Sequence, residues 1–323
     1  MSPNPRVSIV IVNFCTRRLL RDCLACVRDE GSSGLEVIVV DNHSVDGSGE
    51  MVRTEFPGVQ LIENTENLGF AKANNQAIRR AKGGYVLLLN SDTVVRPGAL
   101  RAMADFLDAR PEAGGVTCRL LNPDGSLQAC VSRRPGPVML LFRLSGLSRL
   151  VRGDRVRRAL RRYLGWLLGS TVRSYLDPYI AGEFPVEVEN ISGACLMLRR
   201  EAIDQVGLLE ESFFMYFEDM DYCLRLRRAG WKLYYLPQGE IVHFVGASSG
   251  GRMRNFSVHS YRSLFTMCRR HFPPRTLAFV RLLVLLSSSL RWLWNLIAGS
   301  VTSSPACRRN REDLRNVIRL CLE

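Results

Sequence analysis

Val7-Ser8-Ile9-Val10-Ile11-Val12-Asn13-Phe14 is a nearly unbroken β-branched run that stops on an asparagine. A strand with one wet face alternates apolar and polar residues. A continuous run like this one fits a strand buried on both faces, the habit of parallel sheets covered by helices. The segments that follow keep the same logic. Residues 17–28 predict a helix, Leu35–Asp41 a second buried strand ending on an acid, and Asp46-Gly47-Ser48 a helix start. Gln60–Ile62 predicts a short strand, 71–81 a helix, and Tyr85–Asn90 a fourth strand, with Pro97 opening a helix to about Ala109. Strands alternating with helices of this length give βαβ units and a largely parallel sheet.

Further along, Asn122-Pro123-Asp124-Gly125 is a strong turn signal, expected to join antiparallel strands at 115–121 and 126–132. Pro135, Pro137 and an arginine-rich stretch then read as an insert. The core is expected to resume at Val186–Arg200 as a strand pair or one extended strand, followed by a helix at 218–229 and short strands at 232–236 and 240–243. From His259 onward the pattern is helical. The chain has 323 residues and 46% hydrophobic content, enough for one large α/β domain with appendages. Ten scattered cysteines fit a reducing compartment, and Cys23 and Cys26 read as small buried helix residues rather than a metal pair. Residues 1–6 are polar and the apolar stretch after them is too short for a secretory signal.

Two acidic features carry the chemistry. Phe213-Phe214-Met215-Tyr216-Phe217-Glu218-Asp219-Met220-Asp221 sets three carboxylates among aromatics. Carboxylates pressed against apolar rings lose hydration, so their pKa values rise toward the range of a general base. Leu87-Leu88-Leu89-Asn90-Ser91-Asp92 is an apolar run ending on one acid. Asn13, Asp41-Asn42, Asn64 and Asn90-Ser91-Asp92 close the first four strands, and ligands of open α/β sheets bind at such carboxyl ends. The chain has neither G-x-G-x-x-G nor a P-loop, so a phosphate needs another device, and a divalent metal supplies it.

In combination and order these segments, with Asp41-Asn42-His43-Ser44-Val45-Asp46-Gly47-Ser48, Asn67-Leu68-Gly69-Phe70, Ile191-Ser192-Gly193-Ala194 and Val242-His243-Phe244, resemble the family 2 glycosyltransferases, in particular their bacterial rhamnosyltransferase-like branch. The resemblance spans about residues 7–250. It implies a GT-A (nucleotide-diphospho-sugar transferase) fold, with a mostly parallel sheet flanked by helices. It also implies roles. Asp41 would bind the pyrimidine of a nucleotide sugar, with Asn13 and Ser44 in the same pocket. Asn67, Gly69, Asn74 and Asn90 would lie near ribose and diphosphate. Asp92 and His243 would hold Mg²⁺ or Mn²⁺. Where the family often has Asp-x-Asp, this chain has Asn90-Ser91-Asp92, one carboxylate fewer. Asp219 would be the general base of an inverting displacement, Glu218 with Gly193 and Ala194 would meet the acceptor, and Asp221 would position or cap the following helix.

Net charge is +13, and residues 143–162 alone hold eight arginines and one aspartate. A polyanionic partner is implied. From Asp154 to about Leu168, Val156, Leu160, Tyr163, Leu164 and Leu167 share one helical face and arginines the other, as in an interfacial membrane helix. Residues 277–298 are apolar enough to approach a span, yet Arg281 and Arg291, at up to about 3 kcal/mol each, nearly cancel its gain. They share a stripe with Ser288 and Asn295, so this segment is expected to lie in the interface or dock on protein.

The sequence therefore reads as a catalytic domain over 1–250, with a basic helical insert at about 135–185, and a helical segment over 251–323. The expected activity is an inverting, metal-dependent transfer of rhamnose from dTDP-rhamnose, or of a hexose from a UDP-sugar, to a polyprenyl-diphosphate-linked saccharide of the cell envelope. The expected site is the cytoplasmic face of the membrane, with an anionic lipid surface and no nucleic acid as partner. A catalytically silent nucleotide-sugar-binding scaffold and a processive polysaccharide synthase are the alternatives.

Overall fold

The structure, a computed structural model, describes residues 5–30, 34–133, 183–244, 258–299 and 305–323. The arginine-rich stretch at 154–168 lies outside them. The chain divides into two compact units. One comprises Met1–Arg134 with Tyr179–Arg254, the other Pro135–Pro178 with Asn255–Glu323.

In the first unit the chain runs β1 (Val7–Asn13), α1 (Arg17–Asp29), β2 (Leu35–Asp41), α2 (Ser48–Glu55), β3 (Gln60–Glu63), α3 (Phe70–Arg80) and β4 (Tyr85–Asn90). These match the βαβ expectation closely. After them come β5 (Thr93–Val95), α4 (Ala99–Asp108), β6 (Ala113–Leu121), β7 (Val131–Ser132), β8 (Val186–Val188), β9 (Asn190–Ile191), β10 (Cys195–Arg199), α5 (Arg200–Val206), α6 (Glu218–Arg228) and β11 (Lys232–His243). The main sheet is ordered β3-β2-β1-β4-β10-β6-β11-β5, with β8 also on β11. Strands β3, β2, β1 and β4 are mutually parallel, and β10 runs against both β4 and β6.

Both-face burial is why β1 and β4 are so apolar. Ile9, Val10, Ile11 and Leu87, Leu88, Leu89 are all buried, and truncating one such leucine to alanine costs about 2–5 kcal/mol. Helix α1 buries Leu20, Cys23, Leu24 and Val27, spaced at helical period, and packs against β5 and α2. Its two cysteines do structural work there. The Cys26 thiol donates to the Cys23 carbonyl at 3.0 Å, and its sulfur accepts the Val95 amide at 3.1 Å, tying α1 to β5.

Three expectations need correction. Residues 126–132 do not form a strand against β6. The turn is present, with Asn122 N donating to Ser126 O at 2.8 Å, but pairing ends after one bridge, Leu121 to Leu127. Beyond it, β7 turns to pair with β9. Val186–Arg200 is neither a hairpin nor one strand. Its three pieces pair with β11, β7 and β4/β6 respectively, because the turn at Ser192-Gly193 re-aims the chain. Conversely, 232–243 is a single strand, with a register shift between Leu236 and Glu240 where two short strands were expected.

The second unit contributes α7 (Val258–His271), α8 (Pro274–Gly299) and α9 (Pro305–Leu322).

Candidate active site

Register builds the site. In the β1–β2 ladder Asn13 stands opposite Asp41, and in the β1–β4 ladder Val12 stands opposite Asn90. The parallel strands therefore end together, with their polar terminal residues in one row. β10 runs the other way, so the turn that precedes it reaches the same edge, where the Asn90 amide donates to Ala194 O at 3.0 Å. β11 is antiparallel to β5 and sets His243 against Thr93.

At one end of the row, the Asn13 side-chain amide donates to Asp41 Oδ1 at 2.8 Å and to Ser44 Oγ at 3.0 Å, while Ser44 N donates to Asp41 Oδ2 at 3.2 Å. Thr16 Oγ1 donates to Asn13 Oδ1 and contacts Ser91 Oγ at 3.0 Å, linking this cluster to the Asn90–Asp92 turn. The three residues assigned to one pocket from sequence thus touch one another.

Asp92, Asn90 and His243 form the next cluster. His243 Nε2 is 3.2 Å from Asp92 Oδ1 and 3.3 Å from the Asn90 side-chain nitrogen. Its Nδ1 is 2.6 Å from Gln128 Oε1. Gln128 is itself fixed, its amide donating to Asn122 Oδ1 at 2.9 Å and to His243 O at 3.2 Å, so its oxygen can only accept. Nδ1 then carries the proton, and Nε2 offers a lone pair toward the Asp92 carboxylate. Two acceptors at 3.2 Å repel unless a proton or cation sits between them. An imidazole and a carboxylate suit Mn²⁺ or Mg²⁺, provided phosphate oxygens and water complete the shell. No group of three or more His, Cys, Asp or Glu side chains able to hold a metal exists among the described residues, so two protein ligands is the fit. Gln128 was not singled out in the sequence; no motif marks it, and only the return of 126–130 beneath β11 brings it here.

Asp219 is linked to this cluster through one turn. Its Oδ2 accepts the Gly193 amide at 3.0 Å, next to the Ala194 carbonyl that holds Asn90. The Asn90–Asp92 end of β4 and Asp219 are therefore pinned to consecutive residues of one turn. Asp219 opens α6, whose N-terminal dipole favours the ionised carboxylate. Tyr216 and Phe217 precede it with φ of 70° and 69°. Two successive left-handed non-glycine residues cost about 1–3 kcal/mol each, strain that clusters at functional sites. Glu218 is buried, and burial together with the Asp219 charge pushes its carboxyl well above the usual carboxylate range. Asp221 is fully buried and points away, accepting Arg225 Nε at 2.8 Å; Arg225 also donates to the Val206 and Leu208 carbonyls.

Asn67, Gly69 and Asn74 connect to Asp219 through the fold. Gly69 has φ of +80°, and a Cβ there would lie 2.4 Å from Phe214 O. Phe70 N donates to that same carbonyl at 2.6 Å, and the Phe70 ring lies 3.3 Å from where a Cβ on Gly193 would be. Gly69 is glycine because the aromatic loop crosses over it. Asn67 Oδ1 accepts from Gly69 N and from Asn42, whose amide also reaches Gly69 O. Asn74 was expected beside the donor, yet it is buried with its amide donating to Phe70 O at 2.8 Å, inside its own helix. Asn75, which ends the Asn67–Asn75 segment and has no role assigned from sequence, exchanges hydrogen bonds with the backbone of Leu209 and so holds the approach to the aromatic loop.

A polar row thus lies at the carboxyl edge of a mostly parallel sheet, with a His–Asp pair and a separate carboxylate tied to one turn. Residues 8–207 match the Glycosyl transferase family 2, and residues 186–283 match Glycosyltransferase like family 2. The chain belongs to glycosyl transferase family 2. It is 29% identical over 281 residues, 81% of this chain and 84% of the relative, to the N-acetylglucosaminyl-diphospho-decaprenol L-rhamnosyltransferase of Mycobacterium tuberculosis. It is 25% identical over 184 residues, 55% of this chain and 61% of the relative, to the rhamnosyltransferase WbbL of Escherichia coli. Among solved structures, the mannosyltransferase PcManGT of Pyrobaculum calidifontis, in complex with GDP-Man and Mn²⁺, superposes with a TM-score of 0.52 at 18% identity, over 99% of this chain and 87% of that one.

Proposed function

We propose that the chain transfers a sugar, with inversion, from a pyrimidine nucleotide donor to a hydroxyl of a lipid-diphosphate-linked saccharide. Rhamnose, taken from dTDP-rhamnose, is the favoured donor sugar and an N-acetylglucosaminyl-diphospho-polyprenol the favoured acceptor; the sugar and the acceptor are supported by the Mycobacterium relative, an N-acetylglucosaminyl-diphospho-decaprenol L-rhamnosyltransferase aligned over 84% of its length. The observation that carries the reading is the shared turn, with Gly193 N on Asp219 and Ala194 O on Asn90.

In this reading Asn13, Asp41 and Ser44 hold the base, and Asn67, Gly69 and Asn90 flank ribose and diphosphate. Asn74 is left out because its amide is spent on Phe70. Asp92 and His243 would hold Mg²⁺ or Mn²⁺, which when bound would offset charge on the departing diphosphate. Asp219 takes the acceptor proton while that oxygen bonds to the anomeric carbon. The bond to the diphosphate oxygen breaks on the opposite face, and the nucleoside diphosphate leaves with the electron pair. Burial and the Asp219 charge raise the Glu218 carboxyl's pKa, and Gly193 and Ala194 give the acceptor room. General-base help of this kind contributes about 10²–10⁴-fold.

Nucleotide release tests it, with dTDP-rhamnose, UDP-glucose, UDP-galactose and UDP-N-acetylglucosamine each offered with a GlcNAc-diphospho-polyprenol analogue and Mn²⁺. Turnover with dTDP-rhamnose is expected to exceed the others. Turnover by an Asp219→Asn variant equal to wild type would leave the silent scaffold as the better account.

A further inference from the structure

Helix α8 is amphipathic in the wrong sense for water. Of its polar side, Arg281 and Ser288 face the protein and Arg291 is exposed. Ser288 is buried with Val280 and Val284. Arg281 stacks over the Phe265 ring of α7 at 5.4 Å, and Arg315 of α9 stacks over Trp292 at 5.6 Å. The opposite stripe is apolar and exposed. Phe279, Leu282, Leu286, Leu290 and Leu293 recur within a narrow face and Trp294 flanks them, all between 47% and 70% exposed. At 1.5 Å per residue this stripe runs for roughly 22 Å. Contiguous apolar surface of this kind marks an interaction site.

Charge selects the occupant. Arg275 continues the same stripe at its N-terminal end, and residues 258–323 hold eleven arginines against three acidic residues. Basic residues beside an apolar helical face are the pattern of helices lying in an anionic lipid interface. The neighbours of α8 decide its orientation. By length and composition it is the one helix among the described residues able to cross a membrane. However, α9 packs along it through Leu314, Val317 and Leu320 and carries Arg311, Glu312, Asp313 and Arg315 on the same few turns. A helix so charged cannot follow α8 through hydrocarbon. We propose that α8 lies in the plane of an anionic membrane, its leucine stripe within the headgroup–acyl boundary and α7 and α9 on the water side. The inference does not depend on the donor, acceptor or catalytic residues assigned above.

Flotation of the full chain with vesicles of phosphatidylcholine, alone or mixed with phosphatidylglycerol, tests it. Wild type is expected to float with the anionic vesicles. A Leu286→Glu/Leu290→Glu variant, changed only at exposed positions, should bind them at least tenfold more weakly with an unaltered circular dichroism spectrum. A second measurement needs no stability comparison. Fluorescence of wild type should be quenched by lipids brominated near the headgroup more than by lipids brominated at the chain end, and the difference should vanish in Trp294→Phe. Absence of vesicle binding, unchanged binding by the double variant, or stronger quenching from the chain end would each overturn the proposal. So would light scattering that finds a wild-type dimer which the double variant dissociates, because a second copy would then cover the stripe.

Discussion

Asp219 Oδ2 accepts the backbone amide of Gly193 at 3.0 Å. A neutral amide donor lowers the cost of keeping this carboxylate ionised without neutralising it, which suits a base. Asp219→Asn is expected to lower kcat by about 10²–10⁴-fold with little change in donor KM. Asp221→Asn should behave differently, because it leaves the largely buried Arg225 guanidinium without its anion. Breaking such a pair costs about 3–5 kcal/mol. Steady-state nucleotide release beside thermal unfolding separates the two; equal behaviour of both variants would refute the assignment.

Gly69→Ala tests the crossing of the aromatic loop. Alanine at φ +80° is strained, and its Cβ would meet Phe214 O. A loss of about 1–3 kcal/mol in stability is expected. Activity should fall further than stability explains, since Phe214 stands five residues before Asp219. Denaturant unfolding and kcat on the same samples give the comparison, and full activity in a folded variant counts against the link.

Gln128→Leu should weaken Mn²⁺ binding, measured by titration calorimetry with dTDP present, by about 10–100-fold, as loss of a partner that orients a metal-bound histidine does. The chain has four histidines, few enough to assign by nitrogen-15 NMR. His243 should carry its proton on Nδ1 in metal-free wild type. A proton on Nε2 instead would remove Gln128 from this role.

Glu218 provides a pH test. Its folded pKa is raised by burial and by Asp219, so between the unfolded value of about 4.3 and the folded value the native state holds a proton the unfolded chain has lost. Its contribution is intact below that unfolded value and declines as pH rises toward the folded one. Glu218→Gln removes the penalty. The variant's melting temperature should therefore exceed wild type by a margin that grows with pH above about 4.3. A margin independent of pH would show Glu218 ionised in the fold.

Much of this was legible in the chain. The apolar runs ending at Asn13, Asp41 and Asn90 fix buried parallel strands, because only two-faced burial tolerates such composition, and strand ends in register bring their polar residues into one row. Asp219 stood out because three carboxylates among aromatics have no solvated explanation. Gln128 gave no such sign, since an amide's role depends on which backbone arrives beside it.

The local pattern of residues determined the βαβ core and the polar row at its carboxyl edge, for these follow from periodicity and strand-end composition; the roles proposed for its acidic members come with the family resemblance. Tertiary structure decided what sequence spacing cannot carry. The turn at Gly193 joins Asp219 to the Asn90–Asp92 end of β4, Gln128 sets the His243 tautomer, Phe214 demands glycine at 69, and α8 buries Ser288 while its leucine stripe stays exposed. Each of these is a contact between segments distant in the chain or a choice of which face is buried, and both are set only when the whole chain has packed.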